Sequence, residues 1–331
     1  MKFVVLLATF VVCCSTVISE SVTSSPHRSA SLIMNNRGSY QRIPQEKIVG
    51  GTIVVPNSLP FQVSIQRRSD AGSRWAHYCG GVILDANVVI TAAHCVSGID
   101  DTSLRVVAGE HSLSINSGHE QDAFPVSFIV HEEYDTDHFK NDIALIFMNQ
   151  APLDLSVPSA KPINLPEPTS QYDPPAGTHV NVSGWGFTNS ASWSNDRLSD
   201  LLRSVNITVV SDQVCDKAYG GDSENRIVLP SMMCAGDMKK GGLDSCQGDS
   251  GGPLFTGSGE TAVLYGIVSW GEGCALASYP GIYTQVSYFL DWIAANQRVY
   301  SNYFNWPHLR HLSTRSMPTP DFKHVRTVST S

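Results

Sequence analysis

Between residues 48 and 297 the chain repeats short apolar runs rich in β-branched residues, separated by glycine, proline, asparagine and aspartate. Runs of this length and spacing are typical of an all-β barrel or sandwich. One helix is predicted over residues 288–297, because its large apolar side chains fall largely on one side. The predicted strands are residues 80–84, 87–91, 103–108, 143–147, 179–183, 205–209 and 263–268.

The two ends of the chain differ from this region. Lys2 precedes a ten-residue apolar run with small residues behind it, the layout of a secretory signal peptide and too short to span a bilayer. We therefore predict a signal peptide over residues 1–19, a secreted, extracellular protein and no membrane span. Residues 20–47 are polar and lack periodicity, which predicts a flexible propeptide, and residues 298–331 are basic, which predicts an unstructured extension.

Charge is unevenly distributed along the chain. Residues 48–297 carry 12 Lys or Arg and 27 Asp or Glu, a net charge of −15, whereas the first 47 residues carry +3 and the last 34 carry +4. A strongly acidic central region argues against nucleic acid as a partner.

Six cysteines remain once the predicted signal peptide is removed. In an oxidising compartment they predict three disulfides, with 15 possible connectivities. Zinc is the alternative, but the chain has no Cys-x-x-Cys pair, and an adjacent His-Cys is a poor pair of ligands, so disulfides are favoured. The six are Cys79, Cys95, Cys215, Cys234, Cys246 and Cys274.

Three residues have sequence surroundings suited to nucleophilic catalysis. Ser250 lies in a glycine-rich segment, where small neighbours let backbone N–H groups face a substrate carbonyl. His94 follows a β-branched run and precedes a cysteine, and Asp142 stands at the start of an apolar strand. Taken singly, the three could equally be a turn residue, a structural histidine and a strand cap.

Together with four further motifs, these segments resemble the chymotrypsin-fold serine proteases, and trypsins most closely, over residues 48–297. The resemblance implies two six-stranded antiparallel β-barrels with a C-terminal α-helix and an active site between the barrels. The motifs are Ile-Val-Gly-Gly from residue 48, Thr-Ala-Ala-His-Cys from 91, Asp-Ile-Ala-Leu from 142, Gly-Trp-Gly from 184, Gly-Asp-Ser-Gly-Gly-Pro from 248, Ser-Trp-Gly from 269 and Pro-Gly-Ile-Tyr-Thr from 280.

The resemblance also implies catalytic roles. His94 and Asp142 would come from the first barrel and Ser250 from the second, to form a catalytic triad. The backbone N–H groups of Gly248 and Ser250 would form the oxyanion hole. No cofactor is required for this chemistry. The implied disulfides are Cys79–Cys95, Cys215–Cys234 and Cys246–Cys274.

For specificity, the resemblance places Asp244 at the base of the pocket for the side chain that precedes the cleaved bond. A carboxylate there selects Arg and Lys. Such an enzyme would act as a monomer on proteins and peptides and would be a target of proteinaceous serine protease inhibitors. The other implied substrate-binding residues are Ser245, whose hydroxyl offers an acceptor to Lys, Ser269, Trp270 and Gly271 at an extended edge, and Gly281, which with Gly271 leaves the pocket open.

Activation is implied at the bond between Lys47 and Ile48. Cleavage would free the amine of Ile48, which in the family pairs with the acid before the nucleophile, here Asp249. A precursor that lacks this pair would keep a poorly formed pocket.

Two further sites are open to alternatives. Glu110 and Glu120 bracket a loop that in many trypsins binds calcium, but two solvated glutamates are the alternative, since Ser117 stands where relatives often carry an acid. Asn181 and Asn206 match the glycosylation sequon on predicted strands.

Three functions are compatible with these residues. A digestive trypsin is favoured over a regulatory cascade protease, because such proteases usually carry a disulfide-rich domain and residues 20–47 contain no cysteine. A catalytically inactive homologue typically lacks His, Asp or Ser of the triad, and all three are present.

Overall fold

A computed structural model of the chain describes residues 32–34, 40–42, 49–70, 72–148, 152–167, 174–188, 198–221 and 227–304. The chain divides into two compact units, Met1–Gln45 and Glu46–Ser331. The first contains an antiparallel hairpin of β1 (Leu32–Met34) and β2 (Tyr40–Arg42), inside the segment predicted to be flexible. The predicted signal peptide and residues 305–331 lie outside the described residues.

The second unit is mostly β. Its elements, in chain order, are β3 (Thr52–Ile53), β4 (Gln62–Arg67), β5 (Ala76–Asp85), β6 (Val88–Thr91), β7 (Leu104–Ala108), β8 (Gln121–Ala123), β9 (Pro125–Val130), β10 (Ala144–Met148), β11 (His179–Gly184), β12 (Arg203–Val210), α1 (Asp212–Ala218), β13 (Met232–Gly236), β14 (Pro253–Thr256), β15 (Val263–Trp270), β16 (Gly281–Gln285) and α2 (Leu290–Phe304).

These strands form two antiparallel sheets. The C-terminal sheet runs β11-β14-β15-β16-β13-β12 and closes through pairing of β12 with β11, so it is a six-stranded barrel to which the short β3 is added. The N-terminal sheet has seven strands in the order β8-β7-β4-β5-β6-β10-β9. The predicted fold class is confirmed. The N-terminal half differs from the expected six-stranded barrel in having seven strands, and among the described residues its end strands β8 and β9 do not pair.

All seven predicted strands are present, but several others were not predicted from the sequence. Strand β4 shows why, since Gln62, Ser64 and Gln66 are buried among its apolar residues. Each has a polar partner: Gln62 accepts from Ser183 and Ser64 bonds His77, while Gln66 accepts from an arginine. These polar residues interrupt the continuous apolar run by which the other strands were predicted. The strand forms nevertheless, because each buried polar side chain has a hydrogen-bond partner.

The C-terminal helix is longer than predicted. It was expected to end at residue 297, but α2 continues to Phe304. Tyr300 explains the extension: its ring stacks on Phe147 at a centroid distance of 4.3 Å, and its hydroxyl donates to the carbonyl of Met148 over 2.6 Å. The basic extension therefore begins after this helix. In the described part of the chain no helix combines the length and apolar character that crossing a bilayer would need.

The three disulfides pair as the resemblance implied. Cys79–Cys95 joins β5 to the turn that carries the preceding His94, and Cys246–Cys274 joins the segment before Ser250 to the loop after β15. Cys215–Cys234 joins α1 to β13. The first two bonds therefore hold loops that meet at the candidate site.

Candidate active site

His94 and Asp142 form a hydrogen-bonded pair on the N-terminal sheet. Asp142 accepts from the backbone N–H of His94 through Oδ1 over 2.9 Å, and its Oδ2 lies 2.8 Å from Nδ1 of the imidazole. The Asp142 side chain is fully buried, whereas that of His94 is 22% exposed. Nδ1 must therefore carry a proton toward the carboxylate, which leaves Nε2 of the neutral ring free to accept one.

The C-terminal barrel supplies the remaining partners of Asp142. The hydroxyl of Ser269 on β15 donates to Oδ2 over 2.6 Å, and the hydroxyl of Thr284 on β16 donates to the backbone carbonyl over 2.7 Å. Donors on His94 and Ser269 thus hold the buried carboxylate in place. Asp142 thus joins the two halves of the unit at the site.

Ser250 is placed beside the His94 loop by its own backbone. Its carbonyl accepts from the N–H of Gly80 over 2.7 Å, and Gly80 follows the cysteine that is bonded to Cys95. At Gly251, a Cβ would lie 2.2 Å from the Thr91 hydroxyl, so only glycine allows this close approach, and its φ of 78° requires glycine as well. The structure therefore brings together the predicted serine, histidine and aspartate segments.

Gly248 and Ser250 present free backbone donors. Gly248 has a φ of 93°, and a Cβ there would lie 2.5 Å from the side chain of Leu198. Within the described ranges, neither the N–H of Gly248 nor that of Ser250 forms a hydrogen bond. Two unpaired N–H groups on either side of one residue can hold an anionic oxygen.

His77 contributes to this site and was not predicted from the sequence. Its Nε2 lies 2.8 Å from the carbonyl of Gly248, and its Nδ1 lies 2.8 Å from the hydroxyl of Ser64. Burial lowers the pKa of His77 to about 4, so the ring is neutral. Since a carbonyl only accepts, Nε2 carries the proton and Ser64 donates to Nδ1. No motif signal marks His77, because its role depends on a partner 171 residues away.

A cavity opens next to Ser250. It holds about 390 Å³ including its open mouth, and its lining includes every predicted substrate-binding residue. A Cβ at Gly281 would lie 2.8 Å from Oδ1 of Asp244, whereas one at Gly271 would meet nothing closer than 3.6 Å. Gly281 is therefore needed to keep the carboxylate accessible. The six predicted residues in the lining are Asp244, Ser245, Ser269, Trp270, Gly271 and Gly281.

Asp244 lies in this cavity and is only 5% exposed. Its Oδ1 accepts from the N–H of Ser245 over 2.8 Å, and its Oδ2 accepts from the N–H of Ala275 over 3.2 Å. Burial raises the pKa of Asp244 to about 7, and these bonds offset only part of that effect. A long cationic side chain would neutralise the buried charge and is the ligand this cavity fits.

Asp249, the predicted activation acid, is also buried. It accepts from the N–H of Gly186 over 2.7 Å and of Cys246 over 2.9 Å, and burial raises its pKa to about 7. The buried Val49 lies close by, and its carbonyl accepts from the N–H of Asp244 over 3.4 Å. Lys47 and Ile48 themselves lie outside the described residues.

Of the two predicted calcium ligands, Glu120 is hydrogen-bonded within its own loop. Glu120 accepts from the N–H and hydroxyl of Ser117 and from the N–H groups of Gly118 and His119, over 2.8 to 3.0 Å. Burial acts to raise the pKa of Glu120, and these hydrogen bonds outweigh it and lower the pKa. Both oxygens of Glu120 are thus hydrogen-bonded within its own loop. Burial and the charge of Glu120 raise the pKa of Glu110 to about 7.

Comparison with known proteins identifies the family of this chain. The family model described as Trypsin matches residues 48–293. The chain belongs to the trypsin family. The motif resemblance is thereby confirmed, and the protein is a trypsin-like serine endopeptidase that acts on protein substrates. Catalysis in the trypsin family requires no cofactor.

Curated relatives support the same family. Trypsin-1 of Astacus astacus is 42% identical over 75% of this chain and 99% of its own length. Trypsin eta of Drosophila erecta is 40% identical over 80% of this chain and 96% of its own length. A Trypsin of Xenopus laevis is 38% identical over 75% of this chain and 89% of its own length. The trypsins similar to this chain thus include invertebrate ones.

Proposed function

We propose that this trypsin-family enzyme is a secreted protease that hydrolyses peptide bonds after Arg and Lys, with Ser250 as nucleophile, His94 as general base and Asp142 as the residue that orients it. The observation that carries the proposal is the position of Asp142. Its carboxylate holds His94 from the N-terminal sheet and accepts from Ser269 of the C-terminal barrel, next to the cavity floored by Asp244.

In the proposed mechanism, the hydroxyl of Ser250 attacks the substrate carbonyl while Nε2 of His94 takes its proton. The imidazolium is stabilised by Asp142, which remains ionised. His94 then gives the proton to the departing amine, which leaves an acyl-enzyme. Water, deprotonated by the same histidine, releases the acid and restores Ser250.

The oxyanion of each tetrahedral intermediate would be held by the N–H groups of Gly248 and Ser250. Each such donor contributes roughly 3–4 kcal/mol in comparable enzymes. The hydrogen bond from His77 to the Gly248 carbonyl supports this assignment. This carbonyl belongs to the peptide group that lies between the two donating N–H groups along the chain, so the bond fixes the segment that carries both donors.

For specificity, the buried carboxylate of Asp244 would pair with the guanidinium or ammonium group of the residue before the cleaved bond. A neutral side chain would leave a buried charge without a partner. Ser245 offers an additional acceptor to a lysine head group, and the edge at Ser269–Gly271 would bind the substrate backbone.

For activation, cleavage after Lys47 would give Ile48 a free ammonium group one residue before the buried Val49. The raised pKa of Asp249 supports this role, since an unpaired buried carboxylate is stabilised when a cation reaches it. Because Lys47 itself suits the proposed specificity, the mature enzyme could activate its own precursor.

The relatives also indicate the biological role of the enzyme. Relatives named trypsin favour a digestive enzyme, with a regulatory extracellular protease as the alternative. We propose a monomer that is secreted under its N-terminal signal and is inhibited by proteinaceous serine protease inhibitors. In place of the predicted calcium ion, we propose that hydrogen bonds to Glu120 hold its loop.

The proposal is tested on precursor cleaved after Lys47, with the new N-terminus verified as Ile-Val-Gly-Gly by sequencing. A mixed peptide library should then be cut after Arg and Lys, and the Ser250→Ala variant should leave it intact. Predominant cleavage after Phe or Leu would refute the pocket assignment, and full activity of Ser250→Ala would refute the nucleophile.

A further inference from the structure

Three arginines without carboxylate partners lie at the turn between β4 and β5. Arg67 and Arg74 are exposed and Arg68 is half-buried, and among the described residues none of them forms a salt bridge. We propose that the arginine surface, which comprises these three residues with Trp75 and Tyr78, binds an acidic segment of the protein substrate in the residues that follow the cleaved bond.

Aromatic rings hold two of these arginines, Arg67 and Arg68, in place before any ligand arrives. The guanidinium of Arg68 lies 4.4 Å from the ring centroid of Trp75, and that of Arg67 lies 5.4 Å from the centroid of Tyr78. Trp75 is contacted by Arg105 as well, at 5.2 Å. Cation–π contacts leave the N–H donors at the edge of the guanidinium available, and a preordered side chain loses less entropy on binding a carboxylate.

Among the described residues no acid forms a salt bridge with these arginines, although Asp100 and Asp101 precede Thr102, whose carbonyl accepts from Arg68 over 3.4 Å. Asp70, in the same turn, accepts from the N–H of Gly72 over 2.9 Å and from the hydroxyl of Ser73 over 2.8 Å. Asp122 is paired with Arg105 at 2.6 Å. Residues 67–75 contain three arginines and one aspartate, a net charge of +2, within a region that carries −15.

The arginine surface is within reach of a bound substrate. Arg67 pairs with Ala76, the first residue of β5, and Gly80 on the same strand donates to the carbonyl of Ser250. Gly80 lies four positions after Ala76 on the strand, a distance of about 13 Å. A substrate extended from Ser250 would cover this distance with about four to six residues.

The positions of the two halves of the unit indicate which substrate residues face the arginine surface, those before or those after the cleaved bond. The pocket of Asp244 and the edge at Ser269–Gly271 belong to the C-terminal barrel, where the residues before the cleaved bond would lie. Strands β4 and β5 belong to the N-terminal sheet. The residues that follow the cleaved bond therefore pass toward the arginine surface.

Charge also indicates which ligand binds the arginine surface. Both ends of this chain are basic, with net charges of +3 and +4, so neither complements an arginine surface. A nucleic acid would be repelled by the −15 of residues 48–297. A short acidic peptide segment contacts the arginines and leaves most of the acidic surface uncovered.

This inference rests on the proposed function, and its test compares two fluorescence-quenched peptides with a single Arg. One carries three Glu at the fourth to sixth residues after the Arg, and the other carries three Gln there. The activated enzyme should have a kcat/KM about 3- to 100-fold higher for the Glu peptide, since each exposed ion pair contributes about 1.4- to 5-fold. This preference should vanish in high salt.

The variant Arg67→Glu/Arg74→Glu should favour the Gln peptide instead. The matched control is Lys217→Glu/Arg298→Glu, which makes the same charge change at two exposed residues on α1 and α2. It should keep the preference for Glu. Equal preferences in the two double variants, or a preference in the wild type that salt does not reduce, would overturn the proposal.

Two measurements separate this inference from the proposed function. Hydrolysis of a small Arg ester reports the catalytic assignment alone and should be unchanged in both double variants. Calorimetric titration of Ser250→Ala with the two Arg peptides reports the surface without catalysis: the Glu peptide should have a Kd about 3- to 100-fold lower than the Gln peptide, and Arg67→Glu/Arg74→Glu in the same background should reverse this ratio. Equal Kd values for the two peptides, or heparin that displaces the Glu peptide no better from the wild-type surface than from Arg67→Glu/Arg74→Glu, would overturn the acidic-peptide assignment.

Discussion

The hydroxyl of Ser269 donates a hydrogen bond of 2.6 Å to Oδ2 of Asp142, the same oxygen that faces Nδ1 of His94. The two residues are 127 positions apart and belong to different halves of the protease unit. One carboxylate oxygen thus links the base of the site to the barrel that carries the nucleophile and the pocket.

Removal of this hydroxyl should weaken catalysis without unfolding the enzyme. Hydrogen bonds to charged groups contribute about 1.5–3 kcal/mol, so Ser269→Ala should lower kcat/KM on a small Arg amide by about 10- to 150-fold. Ser204→Ala is the matched control, because it removes a 3.0 Å bond to the Val182 carbonyl on the barrel wall. Loss of equal size in both variants would show that the Ser269 bond has no special role.

Substitution of Asp244 should change the side chain that the enzyme selects. In Asp244→Asn a bound Arg has no buried counter-ion, and breaking such a pair costs about 3–5 kcal/mol, so kcat/KM for Arg substrates should fall by about 100- to 5,000-fold. Peptides that differ only in Arg, Lys, Gln or Met before the cleaved bond provide the measurement. An unchanged ratio of Arg to Gln cleavage would place the specificity elsewhere.

The raised pKa of Asp244 predicts that cation binding depends on pH. With a pKa of about 7 in the free protein, Asp244 is ionised above that pH and protonated below it. The Kd of acetyl-arginine amide should therefore rise about tenfold per pH unit below 7 and stay level above it. Ser250→Ala serves as the protein for this titration so that no hydrolysis occurs. In Ser250→Ala/Asp244→Asn, binding should be weak at every pH, and a pH dependence that persists there would assign the titration to another group.

Tyr300 should be as important to stability as a residue of the core. Tyr300→Ala removes the stack on Phe147 and the bond to Met148, and the free energy of unfolding should fall by about 3–5 kcal/mol. Tyr288→Ala is the matched control, since that side chain is 57% exposed, and its effect should be within about 1 kcal/mol. Urea unfolding of both variants in the Ser250→Ala background provides the comparison.

A truncation series tests the same end of the chain. Deletion of residues 305–331 should leave stability unchanged, whereas deletion of residues 298–331 should destabilise the enzyme as much as Tyr300→Ala. Equal stability of the two truncated proteins would mean that the last turns of α2 are dispensable.

Stability should not depend on calcium. Because both oxygens of Glu120 are occupied by donors of its own loop, the free energies of unfolding in millimolar calcium and in a chelator should agree within about 0.5 kcal/mol. The Glu120→Ala variant should be less stable in both conditions by the same amount. A calcium-dependent increase in the wild type that Glu120→Ala abolishes would restore the calcium site.

The sequence was sufficient for the parts of this protein that depend on short segments. The seven predicted strands are β-branched runs that need no knowledge of their partners. The surroundings of Ser250, His94 and Asp142 are likewise local, and the motif resemblance extended them to a fold class and to three disulfide pairs, both of which the structure contains. Prediction from local sequence missed β4, because buried polar residues interrupt its apolar run. It also ended α2 too early, because the contact that holds its last turns joins Tyr300 to Phe147, far away in the sequence.

Only the tertiary structure decided the contacts between distant segments. The bond from His77 to Gly248, the donation from Ser269 to Asp142 and the arginine surface beside Trp75 each depend on which strands pair and in which register. The physical reason is that residue type determines what a side chain can bind, whereas packing of the two sheets determines which partner lies within 3 Å of it. The sequence by itself determined the chemistry available to this chain, and the packing of the two sheets determined where that chemistry is assembled.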